Sequence, residues 1–153
     1  MRWIRFFSNL DGRIGRKTFW LMSLAVVAIE FVVILISVAL TVALSIADWW
    51  IEVVIIAFIY PKFVIDVKRG HDRNIPFWVI ATFYVVVIVR LALIQFGWLQ
   101  RYPSQNLFSS MDIVSFAVTL LLGIVSLALL VELGFRKGRP GANPYGPDPL
   151  ATA

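Results

Sequence analysis

The sequence predicts an all-α integral membrane protein, because it is unusually apolar and because its apolar residues are gathered in long runs. Of the 153 residues, 60% are hydrophobic, and the mean hydropathy is +0.86, which is well outside the usual composition of a soluble domain. Four apolar runs approach or exceed the roughly 20 helical residues that cross a bilayer. We therefore expect a single membrane domain over residues 1–153, built as a four-transmembrane-helix bundle.

The first predicted element is an interfacial amphipathic helix over residues 2–11. Trp3, Phe6, Phe7 and Leu10 recur at the spacing i, i+3, i+4, i+7, which places them on one face of a helix. A helix of this kind lies in the membrane interface with its apolar face in the lipid. The alternative is a frayed leader that only precedes the first span.

The four transmembrane helices are predicted over residues 18–47, 49–67, 76–99 and 113–135. The first run is longer than the apolar region of a signal peptide, which has about 7 to 15 residues. It is therefore predicted to remain as a span. Aromatic residues, which favour the membrane interface, lie near the ends of these runs, as at Trp20 and Trp78.

The positive charges predict the orientation of the chain. Lysines and arginines concentrate before the first span, around the connection between spans two and three, and in the tail, residues 136–153, whereas the other two connections contain only Arg101. By the positive-inside rule, both termini and the second connection face the cytoplasm. The tail contains four of the seven prolines, so we expect turns and extended segments there rather than helix. The residues 68–74, KRGHDRN, are predicted to form a short hairpin loop.

Two charged residues interrupt the predicted spans, namely Glu30 in the first and Arg90 in the third. Each lies roughly 20 Å from the cytoplasmic end of its span, so we expect an intramembrane ion pair that holds the two helices together. A second hypothesis gives the pair a role in proton or ion movement, which would make the protein a small transporter or proton-coupled permease. In a third, each charge reaches water or a partner subunit.

Composition excludes several kinds of chemistry. The chain has no cysteine and one histidine, His71, which rules out disulfides, cysteine-bound metals and sites with several histidine ligands. His71 and Asp72 alone are too few for a metal-dependent hydrolase of the HD type, so we expect a non-enzymatic protein without cofactors. Turnover of lipid headgroups by these two residues is the remaining enzymatic hypothesis. The net charge of +5 favours contact with anionic membrane lipids and not with nucleic acid.

Three segments, in this order, resemble a known family. They are GRIGRKTFW at 12–20, RGHDRNIPFW at 69–78 and GRPGANPYGPDP at 138–149. Together they resemble the small bacterial inner-membrane proteins grouped as domain of unknown function 805 (DUF805), over essentially the whole chain. The resemblance implies a bacterial inner membrane and four spans, and it implies no activity. Gly70 stands where the family usually has leucine.

All three segments fall on the predicted cytoplasmic side, so we expect them to form one polar face. Its predicted members are Arg13, Arg16, Arg69, His71, Asp72, Asn143, Tyr145 and Asp148. Arginines bind phosphate and carboxylate groups through paired hydrogen bonds. The sequence thus favours a binding or accessory protein whose basic face holds anionic lipid or an acidic segment of a protein partner. Small residues at four-residue spacing in spans one and four also suit a larger membrane complex or a homo-oligomer.

Overall fold

A computed structural model describes residues 6–45, 49–97 and 110–151. Four α-helices follow one another: α1 (Arg16–Leu44), α2 (Trp49–Asp72), α3 (Phe77–Gln95) and α4 (Ser110–Leu130), and α4 continues directly into a π-helix (Val131–Phe135). The described part of the chain contains no strand beyond an isolated bridge between Asn143 and Gly146. The predicted all-α class is therefore confirmed.

Three helical segments are long and apolar enough to cross a membrane. Within the described ranges these are Arg16–Leu44, Phe77–Gln95 and Ile113–Phe135, which correspond to the first, third and fourth predicted spans. No more than 11% of the most apolar window of any of them is buried, as expected where lipid is the solvent of the helix surface. The chain is thus a multi-pass membrane protein.

The second predicted span and the N-terminal helix stay predictions. Residues 49–67 lie within α2, which contains Pro61 and several charged residues, and α2 is not among the three segments above. Thus a four-helix transmembrane bundle is not established. Residues 6–8 are helical, whereas residues 2–5 of the predicted interfacial helix lie outside the described part of the chain.

The chain divides into two compact units, one of residues 1–80 with 137–153 and one of residues 81–136. The predicted single domain over 1–153 stays a prediction. In the first unit α1 packs against α2, and buried apolar side chains of both helices form its core: Phe19, Met22, Val26, Val64, Ile65 and Val67. These buried residues gather towards the start of α1 and the end of α2, which is where the polar residues described below also lie.

The end of α2 differs from the predicted hairpin loop, because the helix extends through most of it. Residues 68–72 are helical, and the chain turns at Asn74, which has a left-handed φ of 60°. The N–H groups of Asn74 and Ile75 donate to the carbonyls of His71 and Gly70 at 3.1 and 2.8 Å. This pattern is a Schellman motif, in which asparagine is one of the few residues that tolerate the left-handed position. Gly70 lies within the helix, and the Ile80 side chain fills the space beside it, 2.5 Å from where a Cβ would lie.

Candidate binding face at the end of helix α2

Three charged side chains form a buried group that we call the Asp72 cluster: Arg13, Arg69 and Asp72. Arg69 is 0% exposed, and the side chains of Arg13 and Asp72 are 1% and 5% exposed. Arg13 Nε and Nη2 donate to Asp72 Oδ1 at 3.2 and 2.8 Å, and Arg69 Nη1 donates to Asp72 Oδ2. Both carboxylate oxygens are therefore used, which is the condition under which buried charges are tolerated.

Arg13 also connects the cluster to the tail. Its Nη1 donates to the carbonyls of Gly141 and Gly146 at 2.7 and 3.3 Å, and its Nη2 donates to the carbonyl of Arg139 at 2.6 Å. The planar guanidinium has five N–H donors in a fixed fork, and here all three of its nitrogens donate. One side chain from the start of the chain thereby binds the end of α2 and the tail together.

The last carbonyls of α2 provide further anchor points. The final turn of any helix leaves carbonyls without intrahelical partners. The Asp72 carbonyl accepts from Arg139 N–H at 2.9 Å, and the His71 carbonyl accepts from Asn143 Nδ2 at 2.9 Å. One turn earlier, the Lys68 carbonyl accepts from Ile14 N–H at 3.3 Å. The helix end is therefore closed by the segment before α1 and by the tail.

His71 lies between these two segments. Its ring stacks on Tyr145 of the tail, with centroids 3.9 Å apart and an angle of 2° between the planes. Its Nδ1 lies 3.2 Å from the carbonyl of Gly12. Burial lowers the pKa of His71, although the Gly12 hydrogen bond and the charge of Asp11 act in the opposite direction. The imidazole is therefore held more readily in its neutral form than a free histidine.

Asp148 and Asn143 shape the tail itself. Asp148 accepts from the N–H groups of Leu150 and Gly141, both at 2.9 Å, and these bonds lower the pKa of its carboxyl group. The side chain of Asn143 accepts from Tyr145 N–H at 2.9 Å, and its backbone pairs with Gly146 in both directions. These two residues fold the tail into the shape that brings its carbonyls to Arg13.

Gly138 also belongs to this site, although it was not among the predicted site residues. A Cβ at this position would overlap the Asp72 carboxylate, so any side chain larger than hydrogen would push the tail away from the cluster. The only signal in the sequence is that Gly138 begins the third motif.

Several cations outside the cluster are exposed, whereas Lys68 is buried. We define the basic face as Arg16 and Lys17, at the start of α1, with Lys137 and Arg139 of the tail; all four are exposed. Burial has the largest effect on Arg69 and lowers its pKa. The charge of Asp72 acts in the opposite direction, and the positive charges of Arg73 and Arg16 lower the pKa further. Positive charge therefore exceeds negative charge around the end of α2.

The two intramembrane charges have partners within their own units. Glu30 forms an ion pair with Lys62, which follows Pro61 in α2. Arg90 Nη2 donates to Thr119 Oγ1 at 2.7 Å. Glu30 and Arg90 belong to different units, so their predicted pairing, and the transporter hypothesis built on it, stay predictions. The ion pair between Glu30 and Lys62 was not predicted from the sequence. Its only signal there is that Lys62 interrupts an apolar run.

Six of the eight predicted face residues are joined by direct contacts: Arg13, Arg69, His71, Asp72, Asn143 and Tyr145. Asp148 joins them through Gly141, and Arg16 is close enough to influence Arg69 electrostatically. Among the described residues no three of the acidic and histidine side chains come together in a way that would hold a metal ion. The contacts that the structure shows at this site are hydrogen bonds, ion pairs and one ring stack.

Comparison with known proteins gives the family of the chain and no activity. No curated protein and no solved structure matches the chain. A family model described as a protein of unknown function (DUF805) matches residues 7–147, a range that contains the Asp72 cluster and most of the tail contacts. Because the match covers nearly the whole chain, including the apolar helices, the chain belongs to the DUF805 family of proteins of unknown function.

Proposed function

We propose that this protein is a non-enzymatic membrane protein whose basic face binds the phosphate groups of anionic lipids. The observation that carries the proposal is the division of the positive charges into a buried and an exposed set. Arg13 and Arg69 share Asp72 as their acidic partner and connect distant segments of the chain. Arg16, Lys17, Lys137 and Arg139 point outward and have the charge that a phosphate requires.

The position of Arg16 and Lys17 favours lipid over a protein partner as the anion. They are the first two residues of α1, and the apolar part of that helix begins directly after them. Where such a helix enters a bilayer, its first turn lies at the level of the headgroups, and its N-terminal N–H groups also favour a negative group. An acidic protein segment would need the same cations, so it is an alternative outcome of the test.

Arg69 is not part of the proposed phosphate contact in the docked state. It is fully buried and donates to Asp72 and to the carbonyl of Ile14. A phosphate could reach Arg69 only by displacing these acceptors. The test therefore uses the exposed pair, Arg16 and Lys17.

The test is lipid retention by the double variant Arg16→Gln/Lys17→Gln. Protein in nanodiscs of mixed phosphatidylglycerol and phosphatidylcholine is released into a mass spectrometer, and the lipids that stay bound are counted. Each Lys or Arg near an anionic surface contributes about 1 kcal/mol, so we expect the double variant to retain phosphatidylglycerol on the order of thirtyfold less tightly.

The matched control is Arg16→Lys/Lys17→Arg, which exchanges the two side chains and keeps both charges. It should retain the lipid as the wild type does. Equal retention by the Gln variant and the wild type would contradict the proposal. Release of a stoichiometric protein from native membranes, with no enrichment of anionic lipid, would favour the acidic partner instead.

We also propose that the basic face lies on the cytoplasmic side of a bacterial inner membrane. The distribution of lysine and arginine supports this orientation, and the resemblance of the three motifs supports the location. Because the chain has no cysteine, an Ala142→Cys variant contains a single thiol. A membrane-impermeant maleimide should label this thiol only after the inner membrane is opened. Labelling in intact spheroplasts would contradict the proposed orientation.

A further inference from the structure

His71 has one ring nitrogen that the docked tail leaves without a partner. A carbonyl oxygen only accepts hydrogen bonds, so the contact with the Gly12 carbonyl requires the proton on Nδ1. Nε2 then has a lone pair. It is buried and has no hydrogen-bond partner among the described residues. The docked arrangement therefore suits the neutral imidazole, and it contains no acceptor for a second proton.

The charges around His71 act in both directions, so burial and the missing acceptor for Nε2–H are what disfavour a second proton. From α2, Lys68 is a positive neighbour, and Arg69 is bound to the adjacent Asp72. From the segment before α1, Asp11 is a negative neighbour, whereas Arg13 brings a further positive charge to Asp72. From the tail, Tyr145 covers the ring and Arg139 N–H binds the Asp72 carbonyl. An imidazolium would gain a cation–π contact with Tyr145, but the ring face gives Nε2–H no acceptor.

The tail depends on this histidine for two of its contacts. Tyr145 stacks on the ring, and Asn143 Nδ2 donates to the His71 carbonyl. The tail in turn uses donors of the basic region, since its carbonyls accept from Arg13 at three places and from Arg73 at Lys137. If the tail leaves, Arg13 and Arg73 lose these tail carbonyls as acceptors, and an anion can take the place of the carbonyls.

We propose that the tail is a proton-controlled cover of Arg13 and Arg73, beside Arg16 and Lys17 of the basic face, which is docked while His71 is neutral and is released when His71 gains a second proton. This inference rests on the proposed function, because it assigns a regulation to the same face. Release would uncover the tail-facing sides of Arg13 and Arg73 beside Arg16 and Lys17, which stay in place at the start of α1, and would increase the capacity for anionic headgroups at low pH.

The direction of the pH dependence follows from the two states of the histidine. In the released state His71 has an ordinary pKa near 6.5, and in the docked state burial lowers the pKa. Docking is therefore complete above about pH 6.5 and weakens as the pH falls towards the lower pKa of the docked form. If His71 stays neutral in the docked state throughout this range, the docking equilibrium constant falls by about tenfold between pH 7.5 and 5.5.

The wild-type chain offers a direct observation of the trigger, because it has a single histidine. Histidine labelled with ¹³C and ¹⁵N would give the NMR signals of one imidazole in nanodiscs of phosphatidylcholine. We expect the Nδ1-protonated tautomer at pH 7.5. The Nε2-protonated tautomer would overturn the proposal.

Tail release is measured with a spin label on the variant Ala142→Cys. Position 142 is exposed in the docked tail, so the label should not disturb docking. In neutral nanodiscs the mobile component of the spectrum should rise about tenfold relative to the docked component between pH 7.5 and 5.5. Its midpoint should coincide with the titration of the histidine signals; a titration of His71 without any change in tail mobility would overturn the proposal.

Two variants separate the switch from general loosening of the fold. His71→Phe keeps an aromatic ring against Tyr145 and cannot titrate, so its tail mobility should not change with pH; a remaining transition would refute the role of His71. Tyr145→Phe keeps both the ring stack and the histidine, and it should retain the wild-type transition. If the His71 variant does not fold, the proposal is still tested in the wild type by comparing the midpoint of the histidine NMR titration with the midpoint of the change in tail mobility.

These measurements use neutral lipid and so do not depend on the lipid-binding proposal. Loss of the transition with normal retention of phosphatidylglycerol would refute the switch alone. A normal transition with no selective retention would refute the proposed function and leave the proton-controlled tail.

Discussion

In the first unit, the side chains of Arg13, Arg69 and Asp72 are each 5% exposed or less. In the second unit, Arg136 and Glu132 also form an ion pair, but their side chains are 63% and 27% exposed. The first group connects three segments that are distant in the chain, whereas the second joins neighbours one helical turn apart. The comparison shows that burial and sequence separation, and not the presence of an ion pair, decide whether charged residues organise a fold.

The largest expected difference between the two units comes from removing one acid in each. Asp72→Asn would leave Arg13 and Arg69 buried without a negative partner, and breaking a buried pair in this way costs about 3–5 kcal/mol. Glu132→Gln removes an exposed partner and should cost less than about 1 kcal/mol. The free energy of unfolding, measured by titration with sodium dodecyl sulfate, compares the two. Similar losses in both variants would contradict the structural role of the Asp72 cluster.

The next effect compares one glycine from each unit. Gly138→Ala places a Cβ against the Asp72 carboxylate, and such overpacking costs about 1–3 kcal/mol. Gly123 of α4 has no neighbour within 4 Å of an added Cβ, so Gly123→Ala should be neutral or stabilising by up to about 1 kcal/mol.

The same detergent titration measures both glycine variants. A spin label at position 142 additionally reports whether Gly138→Ala loosens the tail at pH 7.5. A Gly138→Ala protein as stable as the wild type, with an immobile tail, would show that the tail does not press on Asp72 as described.

The smallest effect concerns the polar contact inside the second unit. Thr119→Val removes the hydroxyl that accepts from Arg90, and hydrogen bonds between membrane helices contribute about 0.6 kcal/mol on average. Thr119→Ser keeps the hydroxyl and should be close to the wild type in the unfolding titration. If Thr119→Val lost several times more unfolding free energy than this average, the Arg90 contact would stabilise the protein as much as the contacts of the first unit do.

Much of the architecture was predictable from composition and length alone. The runs at 18–47, 76–99 and 113–135 became helices of nearly the predicted extent, because a bilayer requires about 20 apolar residues in a helix whatever their neighbours are. The polar motifs before α1, at the end of α2 and in the tail also contact one another in the structure, as the sequence led us to expect, and their role as a binding face stays a prediction.

The contacts within that region were not predictable. Gly70 was predicted as a turn residue but lies in a helix, where its lack of a side chain leaves room for Ile80. Arg69 reads as a phosphate-binding side chain and is buried against Asp72, and Gly138 reads as part of a flexible tail and touches the same carboxylate. In each case the deciding neighbour is at least three, and mostly ten or more, residues away in the chain.

Composition and motifs thus predicted the all-α class, the family, three helices long and apolar enough to cross a membrane, and the concentration of polar residues outside the apolar runs, while the fourth predicted span stays a prediction. Only the tertiary structure decided which cations are buried and which are exposed, that Arg13 joins three segments, and that Tyr145 of the tail covers His71. The physical reason is that solvation of long apolar helices depends on local composition, whereas a buried charge is stable only where partners from distant segments supply its hydrogen bonds.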